Sequence, residues 1–322
     1  MKPPAFWQHG GVAPIWLLPL SWFYAAATAR RVARAGWTAG VPVICCGNPG
    51  AGGSGKTPLA LDIAERLQAR GHRPAFLTRG HGGSLAGPLR VDPAVHSATQ
   101  VGDEALLLAG RASTYLGADR AVSARLAIRG GADVLVLDDG LQNPSLAKTL
   151  SVMVIDGGAG FGNGQVIPAG PLREPVAAAA RRCQAAVLIG NDATQATAQL
   201  PASLEVLRAD MVPESEDLAA LPDLVMAFAG IGRPQKFFDT LCQAGHPPVA
   251  ALEFADHHSY TTAELDQLQR GAQARGAGLV TTAKDLMRIP PPRRSDFHMV
   301  RIRLEWSDPT RIEALLDRAM RP

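Results

Sequence analysis

A glycine-rich stretch at residues 46–58, which reads CGNPGAGGSGKTP, constrains the fold of this chain more than any other feature. It fits the phosphate-loop pattern G-x-x-x-x-G-K-[ST] at 50–57, which requires a strand before it and a helix after it. An apolar run at 41–46 supplies the strand, and apolar residues recur at helical spacing over 59–67. Such glycines let the backbone point N–H groups at a triphosphate held at the positive end of the helix. The stretch therefore predicts a nucleotide site, and the alternative is a glycine-rich surface turn.

Eight consecutive residues are the candidates for contacting the nucleotide: Gly50, Ala51, Gly52, Gly53, Ser54, Gly55, Lys56 and Thr57. In this motif the lysine reaches the β- and γ-phosphates, and the Thr hydroxyl ligates Mg²⁺. The second half of such a site is an apolar strand that ends in an acidic residue. The run VLVL at 134–137, followed by Asp138 and Asp139, has this form. One or both aspartates are predicted to hold the metal together with Thr57, and the sequence leaves open which of the two binds it directly.

Length and composition restrict the class of protein. A chain of 322 residues with 47% hydrophobic and 19% charged residues has enough apolar surface for two folded domains. The net charge is only +3, so whole-chain charge gives no indication of nucleic-acid binding. The four cysteines, at 45, 46, 183 and 242, lack metal-ligand spacing. They fit reduced thiols in a cytosolic compartment.

Strand and helix patterns alternate along most of the chain, which predicts an α/β fold. We expect a three-layer α/β/α domain of the phosphate-loop NTPase type, a second, smaller α/β domain and an N-terminal hydrophobic helix. The predicted boundaries are 1–36 for a membrane-interface helix, 37–210 for the domain with the phosphate loop and 211–322 for the smaller α/β domain, which is expected to bind substrate or act as a lid. The acidic, proline-flanked stretch 213–222 is the predicted linker, and a single strand is predicted at 297–304.

The N-terminal segment from Gly11 to Ala29 contains no charged residue, and three arginines at positions 30, 31 and 34 follow it. A cleaved signal peptide would export a nucleotide loop to a compartment without ATP. A membrane-spanning helix is barely long enough and would contain Pro14 and Pro19. An interfacial helix, with Trp and Tyr at headgroup depth and arginines on anionic lipid, fits best. A buried core helix is the remaining alternative.

Six further motifs accompany the phosphate loop: TRGHGG at 78–83, GDE at 102–104, DDGLQN at 138–143, FGNGQVIPAGPLREP at 161–175, AFAGIGRPQKFFDTL at 227–241 and DHH at 256–258. Together they resemble the tetraacyldisaccharide 4'-kinase family, the lipid A 4'-kinases, over most of the chain. The resemblance implies ATP- and Mg²⁺-dependent phosphorylation of the 4'-hydroxyl of a tetraacyldisaccharide 1-phosphate at the cytoplasmic face of the bacterial inner membrane. It also implies two α/β/α domains with the active site between them. Three positions depart from the family pattern: His81 replaces a usual tyrosine, Asn143 a usual histidine, and Ala283 interrupts a common Thr-Glu-Lys-Asp.

The resemblance also suggests roles for individual side chains. Asp103 is the candidate base for the sugar hydroxyl, with Lys56 and Asp139 as the other candidate catalytic residues. The candidate substrate residues are Arg79, His81, Glu104, Asn143, Arg173, Glu174 and His257. Among these, Arg79 and Arg173 suit the 1-phosphate, because a guanidinium binds phosphate through two parallel hydrogen bonds. His257 is expected either to orient substrate or base, or to be structural.

Two other functions remain open at this stage. A membrane-associated switch ATPase or GTPase also combines a phosphate loop with a membrane-binding segment. The partitioning type carries a second lysine where this chain has Ala51, and no Asn-Lys-x-Asp guanine motif occurs. A kinase with another small-molecule acceptor is the second alternative. The expected partners are the acylated disaccharide phosphate and an anionic membrane surface, with no nucleic acid and no obligate protein partner.

Overall fold

The computed structural model describes residues 4–52 and 55–321. The strands in chain order are β1 (Val43–Gly47), β2 (Pro74–Thr78), β3 (Leu89–Arg90), β4 (Ser113–Leu116), β5 (Val134–Asp138), β6 (Leu150–Asp156), β7 (Ala185–Ile189), β8 (Glu205–Pro213), β9 (Val225–Ala229), β10 (Ala250–Glu253), β11 (Gly278–Thr282), β12 (His298–Val300) and β13 (Ile302–Trp306). The helices are α1 (Leu18–Val32), α2 (Lys56–Ala69), α3 (Ala98–Val101), α4 (Asp103–Ala109), α5 (Arg120–Arg129), α6 (Val176–Ala180), α7 (Ser215–Ala219), α8 (Pro234–Gln243), α9 (Thr262–Gln273), α10 (Ala283–Arg288) and α11 (Pro309–Met320).

The larger sheet has nine strands in the order β13-β8-β7-β6-β1-β5-β2-β4-β3. Its central strands are parallel and buried along their whole length, as expected for a sheet covered on both faces. One face packs against α2 and α11, and the other against α5, α6 and the long loop after β6. The phosphate loop follows the central strand β1, so the predicted nucleotide site lies at the carboxyl edge of the sheet.

The smaller sheet has four parallel strands in the order β10-β9-β11-β12. Helix α8 covers one face through Phe237, Phe238 and Leu241, while α9 and α10 cover the other. The predicted fold class, a large α/β/α unit with a smaller α/β unit, is confirmed.

The C-terminal part of the chain, expected to belong to the smaller domain, is divided between the two units. The expected single strand at 297–304 is two strands in two sheets: β12 pairs with β11, and β13 pairs antiparallel with β8 in the large sheet. The change of sheet occurs at Arg301, whose backbone N–H and guanidinium both bind the Asp217 carboxylate. Strand β13 and helix α11 thus complete the large unit, and the small unit is an insertion between β8 and β13.

The stretch 213–222, which was expected to be a linker, contains the end of a strand and a short helix. Pro213 is the last residue of β8, and residues 215–219 form the short helix α7. Strand β8 reaches Pro213 because β13 supplies a hydrogen-bonding partner from Ala209 to Pro213, which pairs with Ile302.

Helix α1 lies on the surface of the large unit. The Ser21 hydroxyl donates to the Val166 carbonyl at 2.7 Å and accepts from the Ala169 N–H at 3.1 Å, both in the loop after β6. The opposite face is exposed: Trp22 and Phe23, like Trp16 in the turn before the helix, each keep more than 70% of their surface in solvent. Within residues 4–52 and 55–321, no helix is long and apolar enough to cross a bilayer.

Candidate active site

The phosphate loop passes from β1 into α2 through Gly55, which has φ of +87° and caps the helix. A Cβ atom there would meet only the ends of the Ile189 and Met211 side chains, so it is the left-handed backbone conformation that requires glycine. The Lys56 ammonium donates to the Gly52 carbonyl at 3.1 Å and lies 3.8 Å from the Asp139 carboxylate. It therefore lies over the loop, where a β/γ-phosphate would sit. Gly53 and Ser54, two of the candidate nucleotide contacts, lie outside the described residues.

Asp138, at the end of β5, lies directly opposite the first turn of α2. The Thr57 hydroxyl donates to Asp138 Oδ2 at 2.9 Å. The other carboxylate oxygen, Oδ1, is buried and has no hydrogen-bond partner among the described residues. Burial, followed by the negative charge of Glu104, raises the pKa of Asp138 to about 7. A buried, unsatisfied carboxylate oxygen beside a hydroxyl fits a bound cation. The cation would give the oxygen a partner and would offset the free-energy cost of burying the negative charge.

Asp139 has a different environment from Asp138. Its backbone has a left-handed φ of 58°, and both of its carboxylate oxygens lie 3.0 Å from one guanidinium nitrogen of Arg173. With Lys56 on its other side, Asp139 is fully paired with cations. It therefore positions Lys56 and Arg173 beside the loop.

The long loop between β6 and α6 packs directly against the phosphate loop. The Ala51 N–H donates to the Pro171 carbonyl at 2.8 Å, and the Arg173 N–H donates to the Pro49 carbonyl at 2.6 Å. These bonds fix the path of the phosphate loop and hold Arg173 at the site. The loop that contains the motif at 161–175 thus braces the nucleotide loop.

Glu174 is buried and takes part in the same bracing network. Its carboxylate accepts two hydrogen bonds from Arg182, at 2.7 and 2.8 Å, and one from Gln142 at 2.9 Å. The Gln142 amide also donates to the Asn48 carbonyl at the start of the phosphate loop. Glu174 was expected to be a substrate residue, and here its side chain is occupied by these internal contacts.

Asp103, the candidate base, begins α4 and is buried. Its Oδ2 accepts from His257 Nδ1 at 3.0 Å and from Arg288 Nε at 2.7 Å, while Oδ1 accepts from the Glu104 N–H at 2.8 Å. Burial acts to raise its pKa, but the His257 hydrogen bond and the charges of Arg288 and Lys284 outweigh it and hold that pKa well below its usual range. The same hydrogen bond raises the pKa of His257.

His257 comes from the smaller unit, so the pair with Asp103 bridges the two units. Its φ of 58° is left-handed, Nδ1 is bound to Asp103, and Nε2 lies 3.9 Å from the Asp256 carboxylate. The His81 ring lies edge-on to it, with centroids 5.9 Å apart. The structure thus brings His81, His257 and Asp103 together.

Three residues of the smaller unit contact the site but were not among the candidates identified from the sequence. Lys284 pairs with Glu104, and Arg288 pairs with both Asp103 and Asp285. Asp285 is fully buried and accepts from the Tyr260 hydroxyl at 2.7 Å and the Gly230 N–H at 2.9 Å. One available signal was composition, because Lys284 is one of only five lysines in the chain.

The two remaining candidates lie in different places. Arg79 follows β2 and is exposed at the carboxyl edge of the sheet. The Asn143 side chain instead holds a turn: it accepts from the Ser145 N–H at 3.0 Å and donates to the Ala118 carbonyl at 3.2 Å. Asn143 is thus engaged locally, whereas Arg79 is open to solvent.

Comparisons with known proteins identify one family. The sequence profile described as tetraacyldisaccharide-1-P 4'-kinase (LpxK) matches residues 13–321. Tetraacyldisaccharide 4'-kinase of Gluconacetobacter diazotrophicus is 54% identical over 98% of both chains, and that of Gluconobacter oxydans is 48% identical over 98% of this chain and 97% of its own. A crystal structure of LpxK from Aquifex aeolicus in complex with ATP has a TM-score of 0.76 and 24% identity, covering 95% of this chain and 99% of that one.

Proposed function

The chain belongs to the tetraacyldisaccharide-1-phosphate 4'-kinase family, and we infer that it transfers the γ-phosphoryl group of ATP to the 4'-hydroxyl of a tetraacyldisaccharide 1-phosphate. The observation that carries this inference is the position of the Asp103–His257 pair at the edge of the sheet that holds the phosphate loop. Glu104, the neighbour of Asp103, lies close enough to Asp138 for its charge to raise the pKa of that carboxyl. Nucleotide loop and proton acceptor therefore share one site between the two units.

The residues present fit a bound Mg²⁺ ion. We propose that Thr57 and Asp138 hold it, which is supported by the unsatisfied, buried Oδ1 of Asp138. Asp139 is the less suitable ligand because Arg173 and Lys56 already neutralise it. The described residues contain no group of three or more His, Cys, Asp or Glu side chains arranged for a metal, which agrees with a cation held by one or two protein ligands, phosphates and water. When bound, the ion would neutralise charge on the transferred phosphate.

The protein's own residues supply positioning and charge. Lys56 would move from the Gly52 carbonyl to the β- and γ-phosphates, and Arg173, held by the brace, would meet the γ-phosphate or the substrate's phosphate. Arg79, free at the edge of the sheet, is the proposed partner of the substrate's 1-phosphate. These contacts are stronger with the charge of the transition state than with the ground state, which is the condition for accelerating transfer.

Asp103 and His257 are the proposed acceptors of the hydroxyl proton, acting as a pair. A carboxylate with three donors around it is a weak base on its own, whereas a histidine held through Nδ1 keeps Nε2 for the substrate, here 3.9 Å from the exposed Asp256 carboxylate. Asp103 would orient the His257 ring and stabilise its protonated form, and Arg288 would keep Asp103 ionised.

Helix α1 is the proposed membrane contact, at the cytoplasmic face of the inner membrane. The exposed Trp22 and Phe23 on the helix, Trp16 in the turn before it, and the arginines at 30, 31 and 34 at its C-terminal end support this placement. A substrate with four acyl chains resides in the bilayer, and extracting it would cost about 0.8 kcal/mol for each CH₂ group exposed. Docking beside the substrate avoids that cost.

One assay tests the proposed reaction. The full chain is incubated with ATP, Mg²⁺ and the disaccharide 1-phosphate in neutral detergent, and the bisphosphorylated product is measured beside ATP hydrolysis without acceptor. ATP should be consumed only when the acceptor is present. Lys56→Ala should lower turnover by at least about 10²-fold, while its unfolding midpoint stays unchanged. Acceptor-independent hydrolysis as the main activity would indicate a switch ATPase instead, and near-normal turnover of Lys56→Ala would remove the loop from the mechanism.

A further inference from the structure

A cavity lies beside the end of α1, on the face of the large sheet. It has a volume of about 230 Å³ and lies between residues 32–36 and the segment 141–148 that follows the paired aspartates. Its polar lining comes from Arg34, Asn143, Lys148, Ser151 and Arg182. None of Lys56, Thr57, Asp103, Asp138 or His257 lines it, so it is separate from the phosphate loop and from the proton acceptors.

The lining carries more positive than negative charge. Arg182 is neutralised by the buried Glu174. Lys148, in contrast, binds only the backbone carbonyl of Asn143, and no carboxylate among the described residues lies within ion-pair distance of Lys148 or Arg34. Burial lowers the pKa of Lys148, and the neighbouring charges of Arg182 and Arg120 act in the same direction. A bound anion would offset both the desolvation of the Lys148 ammonium and its repulsion by Arg182 and Arg120.

The position of the cavity indicates the source of such an anion. Its lining includes Val32, the last residue of α1, and Arg34 just after it, and the exposed Trp22 and Phe23 belong to the same helix. Part of the lining is apolar, from Val32, Leu141 and Leu146. A free phosphate ion would gain nothing from that apolar surface, whereas a phospholipid carries apolar chains next to its phosphate.

We propose that this cavity binds the phosphate of an anionic phospholipid headgroup, with Lys148 and Arg34 as its ligands. The choice of a lipid over free phosphate rests on the proposed interfacial placement of α1. The site itself rests on the cavity and its uncompensated cations. It would fix the depth and rotation of α1 at the membrane surface, in addition to the unspecific attraction of the exposed arginines.

A water-soluble lipid separates this site from general membrane attraction. Binding of monomeric dihexanoyl phosphatidylglycerol to the full chain is measured by calorimetry in the absence of vesicles and substrate. We expect saturable one-to-one binding, at least tenfold weaker for Lys148→Gln and about fivefold weaker for the exposed Arg34→Gln. Arg270→Gln, an exposed arginine on α9, is the matched control and should bind like the wild type.

Three results would overturn the proposal. Unchanged affinity in Arg34→Gln and in a folded Lys148→Gln would show that the cavity is not the site, and Arg34→Gln alone decides this if the buried lysine cannot be replaced. Inorganic phosphate binding as tightly as the lipid would assign a phosphate site instead. A rise in KM for the disaccharide in Arg34→Gln, measured in neutral detergent without phospholipid, would assign the cavity to the substrate. None of these measurements depends on α1 entering a bilayer. The proposed lipid site can therefore be disproved while the proposed phosphoryl transfer still holds.

Discussion

At the scale of single residues, the buried carboxylates of the site differ in what surrounds them. Asp138 has one unsatisfied oxygen and a pKa raised to about 7, whereas Asp103 is surrounded by donors and cations that hold its pKa well below the usual range. Opposite environments suit opposite tasks: Asp138 is ready for a cation, and Asp103 is kept ionised beside a histidine.

Replacing the members of the proposed proton-accepting pair tests whether they act together. Asp103→Asn should lower turnover by roughly 10² to 10⁴, because it removes the charge that stabilises protonated His257. His257→Gln should cost a similar factor, and the double variant little more, since the two act as a unit. Turnover and ATP affinity are measured together. Losses that multiply in the double variant, or a collapse of ATP affinity in Asp103→Asn, would contradict the pairing.

The raised pKa of His257 also predicts a pH dependence of stability. A group with a pKa raised above its unfolded value near 6.5 stabilises the fold fully below that pH and loses this contribution as pH rises through the folded value. Between pH 6 and pH 9 the wild type should therefore lose more free energy of unfolding than His257→Gln, which has no imidazole to titrate. Urea unfolding of both proteins at the two pH values measures the difference. Equal losses would mean that the Asp103 contact does not form in solution.

At the scale of the elements, helix α1 has two opposite faces with separate tasks. Ser21 attaches it to the loop that braces the phosphate loop, while its aromatic side chains face solvent. Deleting residues 1–28 would therefore disturb the nucleotide site together with any membrane contact. Substitutions on the exposed face alone separate the two effects.

The double variant Trp22→Ser, Phe23→Ser should lose affinity for anionic vesicles by at least about tenfold, because each apolar side chain contributes about 1 to 3 kcal/mol when buried. Its turnover on detergent-dispersed substrate should be unchanged. Val95→Ser, at another exposed apolar side chain, is the control. Vesicle sedimentation at low and high salt separates the apolar from the electrostatic contribution to binding, because salt screens only the electrostatic one. A double variant that sediments like the wild type would assign another surface to the membrane.

At the scale of the whole molecule, the smaller unit is inserted between two adjacent strands of the large sheet. The Glu214 N–H donates to the Arg301 carbonyl at 3.0 Å, so the two ends of the insertion touch. The inserted unit contacts the proposed active site through His257, Lys284 and Arg288, which pair with Asp103 and Glu104. The site is therefore complete only when both units are in contact.

This topology predicts which parts of the chain fold alone. A chain in which a short glycine linker replaces residues 215–300 should fold cooperatively, because β13 and α11 still complete the core of the large unit. Residues 1–210 alone should not, since they lack Trp306, Ile312 and Leu316 and leave β8 without its partner. Circular dichroism during thermal unfolding distinguishes the two. Cooperative unfolding of 1–210 would show that the C-terminal strand and helix are dispensable.

The sequence alone determined the features whose physical cause is local. The phosphate loop, its helix and the acidic end of β5 are contiguous motifs, because consecutive residues build the turn, the helix start and the strand end. Asp103 and His257 were also identified from sequence as candidates, through the motifs GDE and DHH. Their contact was not, because 154 residues separate them and no periodicity records which distant segments meet.

Only the tertiary structure decided how the units share their residues. Strand β13 belongs to the large sheet because β8 offers it an antiparallel edge, although its sequence continues the pattern of β12. Gln142 is a partner of the buried Glu174, and Arg288 is the partner of Asp103; each of these contacts follows from packing between segments well separated in the chain. A charged residue in a sequence has the same letter whether it is solvated or buried, and burial is what gives these side chains their roles.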